Sequence, residues 1–184
     1  MLFVGMMAVG LAAAFFVSQG DYPIAMVGNS FVSAKAYATE YQAATLYYQN
    51  VLKTYGTMAT DTPAITPPDL EAGAMDALVE DTLIKDEAVR EVGAGDLASL
   101  VQDKLSKYSG NSDLANAGAT LYGLDKQTFW DDILVPEATK EVLTDRLVSQ
   151  GKNIDDWVST ARKSARVIIF SPQLTWDGTQ VNAK

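Results

Sequence analysis

Strand-forming residues are confined to the two ends of this chain, and that placement limits what it can build. The runs IAMV at 24–27 and FV at 31–32 flank Gly28-Asn29-Ser30, a turn signal between short apolar stretches, which predicts a β-hairpin. A two-stranded hairpin is marginal alone and needs a partner. VIIF at 167–170 is a β-branched run ended by Ser171-Pro172, with LTW at 174–176 beyond it. A third strand from 167–170 would join the termini into one small sheet. The expectation is a mainly α domain over 21–176, closed by a short sheet from both ends, with 177–184 as a C-terminal tail.

The sequence between is patterned for helix. Ser33 is a candidate N-cap for a helix ending near Tyr55 and stopped by Gly56. Along it Tyr37, Tyr41, Ala44 and Tyr48 recur at spacings of three and four, an apolar stripe expected to face the core, with Tyr47 off the stripe. The stretch 57–66 reads as a connector. Thr66-Pro67-Pro68-Asp69 carries a cap, a proline at the first helical position and an acid at the third, so a second helix runs from there to Val92 and stops at Gly93. Within it Asp81 and Lys85 have the spacing of an i,i+4 ion pair. Shorter helices are predicted over 96–108, 112–121, 125–134, 137–149 and 154–166. Gly110, Gly123, Pro136 and Gly151 separate them, and Asn153 caps the last.

Residues 2–17, LFVGMMAVGLAAAFFV, contain no charged side chain. As a helix they cover roughly 24 Å, between a signal-peptide core and the ~30 Å a spanning helix needs. An uncleaved anchor over 1–20, a signal cut after Gly20, and a buried soluble helix all fit; the absence of a basic residue before Lys35 argues against the signal. The first two place the rest of the chain on the extracytoplasmic side of a bacterial inner membrane, single-pass or secreted.

Composition removes chemistry. The 184 residues include no cysteine and no histidine, so there is no thiol nucleophile, no disulfide, and neither the commonest general base nor the usual zinc ligand. With 14 Lys+Arg against 23 Asp+Glu, the net charge of −9 repels nucleic acid. Asp131-Asp132 and Asp155-Asp156 lack the oxygen-rich loop of a calcium site, so no metal, cofactor or small-molecule substrate is expected. Arg162, Lys163 and Arg166 read as a solvated basic face paired with carboxylates. These absences favour a binding protein over an enzyme.

The order of elements resembles the N-terminal chaperone domain of the secretory folding factors SurA, PrsA and PpiD. MVGNSFVSAKAYATEY at 26–41 is similar to that family's hairpin-to-helix entry, with Val27, Gly28, Val32, Ser33, Tyr37 and Tyr41 at its positions. ALVEDTLIKDEAVREVG at 77–93 is similar to its long helix through Leu78, Val79, Leu83, Ile84, Ala88 and Gly93. The stretch 124–147, followed by 155–170, resembles its final helices and closing strand. The resemblance covers most of 24–171. It implies an ATP-independent chaperone that binds unfolded or newly exported polypeptides through an apolar groove. The family's parvulin isomerase domain has no counterpart here, so isomerase activity is not expected.

Tyr47, Tyr55, Met58, Ile65, Phe129, Trp130 and Ile133 are the candidate client-contacting residues. The tyrosines offer large rigid contact area with a polar tip, Met58 and Ile65 lie in an adaptable connector, and the others form a dense apolar block. No residue is a candidate for catalysis. Two other readings stand beside the chaperone: a scaffold for one dedicated envelope protein, and a degenerate isomerase remnant.

Overall fold

The computed structural model describes residues 20–55, 65–108 and 112–184. Residues 2–17 and Met58 lie outside these, as does the side chain of Tyr55. No helix among the described residues is long and apolar enough to cross a membrane.

Strands β1 (Pro23–Val27) and β2 (Ser30–Ser33) form an antiparallel hairpin that pairs Val27 with Ser30 and Met26 with Phe31. Gly28 takes φ 59° while Asn29 keeps a negative φ, the glycine-first pattern of a type II′ turn. β3 (Val167–Ile169) adds antiparallel to the other edge of β1, giving the order β2-β1-β3 and joining the two ends of the domain. The Gly28 N–H donates to the Arg166 carbonyl at 2.9 Å, and the Phe170 N–H to that of Ile24 at 2.8 Å. Strand alternation sends Ala25, Val27 and Val32 into the core and leaves Phe31 65% exposed. A second antiparallel pair follows, β4 (Leu174–Trp176) with β5 (Val181–Ala183). The stretch read as a tail therefore carries a strand whose Val181 is buried.

Helix α1 (Ala34–Tyr55) starts where Ser33 Oγ accepts the Ala36 N–H at 3.1 Å. Helix α2 (Pro67–Val92) starts where the Asp69 carboxylate accepts both the backbone N–H and the hydroxyl of Thr66, at 2.8 and 2.6 Å. It ends at Gly93, φ 84°, and α3 (Ala94–Ser106) begins at once. Helix α4 (Ser112–Ala117) runs into a π-helical turn, Gly118–Tyr122. The Asn50 amide of α1 reaches two carbonyls of that turn, Thr120 at 2.8 Å and Leu121 at 3.2 Å. Helix α5 (Lys126–Phe129) is capped by Asp125, which accepts the N–H groups of Gln127 and Thr128.

Pro136 does not break the chain as its sequence position predicts. A π turn over Trp130–Leu134 joins α5 to α6 (Val135–Ser149) without leaving helix, and the Val135 N–H donates to the Trp130 carbonyl five residues back. A proline inside an α-helix removes one N–H and crowds the carbonyl four residues earlier; widening the preceding turn relieves that clash. Helix α7 (Ile154–Ser164) begins at the Asn153 cap, which accepts the Asp155 N–H at 2.7 Å.

Helix α2 serves both main cores. Its first half buries Ala72, Met75 and Val79 under the sheets with Val27, Leu174 and Val181. Its second half buries Ile84 and Ala88 against Leu97, Val101 and Leu105 of α3 and Val142, Leu143 and Leu147 of α6. Full burial contributes about 1.5–3 kcal/mol for each large side chain, so this helix anchors the domain. A smaller cluster joins Ala43 of α1 to Leu124 and Phe129.

Candidate binding groove

An apolar groove of about 500 Å³ lies where β2, α2, α3 and the start of α6 meet. Phe31 stands at one end on the outward face of the hairpin, and Leu78 and Val89 of α2, Leu97 and Val101 of α3 and Val135 of α6 line the rest. The hydroxyls along it are turned to their own helix backbones. Thr82 donates to the Leu78 carbonyl at 2.7 Å, and Thr139 to that of Val135 at 2.8 Å. The Ser30 hydroxyl donates to the Asp86 carboxylate at 2.9–3.0 Å, pinning the hairpin beside Phe31 to α2. The surface left between these groups is mainly apolar, which suits apolar side chains, with Asp81, Lys85, Asp86 and Asp131 as its charged groups.

A polar cavity of about 370 Å³ adjoins the groove and shares Asp81 and Pro136 with it. Its cations are already engaged. Lys140 Nζ lies 3.0 Å from Glu80, and Arg162 lies 2.8 Å from Glu80 and 2.9 Å from Asp76. Glu40, Asp81, Asp132 and Glu137 also face it, and none of these four forms an ion pair among the described residues. The expected Asp81–Lys85 pair is not formed; Lys85 sits on the groove rim. Burial, then the charges of Glu40, Glu80 and Glu137, push the Asp81 carboxyl up to about 7, with Lys140 opposing. Glu40 is raised by burial and by Asp132. Burial pushes Glu80 up as well, but its hydrogen bonds from Arg162 and Lys140 outweigh this and hold it low.

The candidate residues scatter. Phe129 is buried, 6% exposed, at the centre of the small cluster, so it is core and not client surface. Trp130, next in the chain, packs on the main helical core, and Ile133 lies half-buried on the wall of the polar cavity. Tyr47 is exposed and stacks on Tyr122 with ring centres 5.4 Å apart, and Tyr122 stacks in turn on Phe129 at 5.8 Å. Ile65 is exposed, its backbone N–H donating to the Tyr48 hydroxyl at 3.2 Å. None of these five described residues lines the apolar groove. On the tyrosine stripe, Tyr37 packs against the sheet core and stacks on Tyr41 at 6.3 Å.

The sequence did hold one pointer to the groove. Val32 is the inward residue of β2, so period-two alternation turns Phe31 outward and leaves an exposed aromatic ring on a short hairpin. Arg162 departs from the solvated basic face expected of it, lying largely covered against α2. The described residues hold no group of three acidic side chains close enough to bind a metal ion. Neither a family model nor a curated protein nor a solved structure matches this chain.

Proposed function

We propose that this domain is an ATP-independent, chaperone-like module that holds apolar segments of unfolded or newly exported polypeptides, tethered to a membrane through residues 2–17 and facing away from the cytoplasm. The observation that carries the reading is the groove beside Phe31. It is open and apolar, and its hydroxyls are committed internally. The resemblance of 26–41 and 77–93 to the SurA, PrsA and PpiD chaperone domain supports it, because the groove's walls come from those two stretches and from α3 and α6.

Holding requires no covalent step. A client side chain entering the groove gains up to ~1.5–3 kcal/mol from burial, less the ordering cost of association. Several such contacts reach the ~8 kcal/mol of a micromolar complex, weak enough to release a client for folding. The test is light scattering of dithiothreitol-reduced insulin with the full chain present. Suppression at near-equimolar ratio, weakened by Phe31→Ser, is the expected outcome. Undiminished aggregation at several-fold molar excess overturns the reading.

A further inference from the structure

We infer that the segment taken by this groove carries a basic side chain close to its apolar anchor, and that the ammonium or guanidinium enters the adjoining cavity past Asp81. This rests on the groove reading above and adds to it the chemistry of the client.

Three observations lead here. The groove and the cavity are neighbours, with Asp81 and Pro136 lining both. An extended segment with an apolar residue in one can therefore project a neighbouring side chain into the other. Charge along the groove itself is unbalanced: Asp81, Asp86 and Asp131 line it against Lys85 alone. Finally, the cavity's own cations are ion-paired with Glu80 and Asp76, while Asp81, Glu40 and Glu137 form no ion pair among the described residues, Lys140 acting on Asp81 and Glu137 only at longer range. About 370 Å³ is room enough for a Lys or Arg side chain.

A guest cation there would meet several carboxylates in a partly desolvated site, where opposite charges attract more strongly than in water. A neutral guest would gain only the apolar contact. An acidic one would be repelled, so the same arrangement selects against acidic clients. The chain's net charge of −9 draws basic segments in from a distance, an effect that salt screens.

The experiment titrates the full chain against the fluorescein-labelled peptide GSFLLGKGS and counterparts with Gln or Glu in place of Lys, read by anisotropy at low salt. The Lys peptide is expected to bind about tenfold tighter than the Gln peptide, the Glu peptide most weakly, and the Lys-to-Gln ratio to shrink in high salt. In the Asp81→Asn, Glu137→Gln double variant the ratio should fall to about one, with circular dichroism confirming an unchanged fold. Glu137→Gln alone, on an exposed side chain, gives a second reading if the double variant fails to fold. A wild-type ratio of about one overturns the inference and leaves the groove reading standing. A ratio that survives in the variants overturns the assignment to this cavity. If no peptide binds, the inference fails, and the insulin assay then decides whether the groove reading falls with it.

Discussion

The Arg162 guanidinium meets the Asp76 carboxylate in parallel, Nη1 to Oδ1 at 2.9 Å and Nη2 to Oδ2 at 3.0 Å. The pair is the knot between α7, α2 and the last hairpin. Arg162 Nη2 also donates to Glu80 at 2.8 Å and Nη1 to the Thr179 carbonyl at 3.1 Å, while Asp76 Oδ1 accepts the Val181 N–H at 2.9 Å. Lysine is a point charge and cannot reproduce the fork, so Arg162→Lys should cost about 1–3 kcal/mol in urea unfolding. Arg162→Ala leaves the partly buried Asp76 carboxylate without its cation and Glu80 with Lys140 alone, and should cost about 3–5 kcal/mol. Amide exchange at Val181 should rise in both. An unchanged midpoint in either variant would mean the knot contributes nothing.

Gly118 is required by contact and not by backbone angle. A Cβ placed there would lie 2.6 Å from Phe129 Cγ, well inside contact distance, and that ring is wedged in the small core. Gly118→Ala should therefore destabilise by about 1–3 kcal/mol, as overpacking does. On a Phe129→Ala background, which removes the Cγ and Cδ1 atoms that the new Cβ would strike, Gly118→Ala should cost less than it does alone. Thermal melts of the two single variants and the double variant close the cycle. Strict additivity would show that the two residues do not compete for the same volume.

The parts of this fold that could be read from the chain are those set by local chemistry. Thr66-Pro67 and Gly93 bracket α2 because a cap, a proline and a glycine at positive φ act on their own neighbours. The strands at 24–32 and 167–169 were visible as β-branched and turn residues, and the inference that they meet followed from a hairpin's need for a third strand. Pro136 does not end the helix because the five-residue π turn just before it, Trp130–Leu134, absorbs it, and hydrophobic periodicity carries no mark of one extra residue per turn. Strand β5 was missed because VNA has neither length nor alternation; Leu174 and Asp76 make it a strand. The groove was out of reach for a different reason. Phe31, Val89, Leu97 and Val135 belong to separate elements, and only their packing creates the hollow.

The raised carboxyl of Asp81 makes stability depend on pH. Glu40 faces it from α1, Glu80 from α2 and Glu137 and Lys140 from α6, with Asp132 on the same cavity. In the unfolded chain its value is 3.8; folding lifts it to about 7, so the folded state binds the proton more tightly. The penalty is absent below the unfolded value, grows between the two, and is complete above about 7. At about 1.4 kcal/mol per pH unit its ceiling is about 4 kcal/mol. Glu80, held low, acts oppositely and only in acid, losing its contribution as pH falls through the lower carboxylate range. Asp81→Asn should thus raise the urea midpoint at pH 8 more than at pH 5, and flatten the slope between them. Equal gains at both pH values would place the titration elsewhere.

Phe31 and Phe129 form a pair of opposites that separates surface from core. Phe31 is 65% exposed at the groove's end, whereas Phe129 is 6% exposed beneath Tyr122. Truncating an exposed ring removes little burial, so Phe31→Ser should leave stability within about 0.5 kcal/mol of wild type. Truncating a buried one leaves a cavity, so Phe129→Ala should cost about 3–5 kcal/mol. Binding should divide the other way. Insulin protection and anisotropy of the GSFLLGKGS probe should weaken in Phe31→Ser and persist in Phe129→Ala while it remains folded, because Phe129 faces the small cluster and not the groove. Urea unfolding and the two binding assays on the same preparations give both halves of the comparison. If the fold tolerates Phe31→Ser and binding is equally indifferent, the client contacts lie on another face, with Tyr47 and Ile65 as the next exposed side chains to truncate.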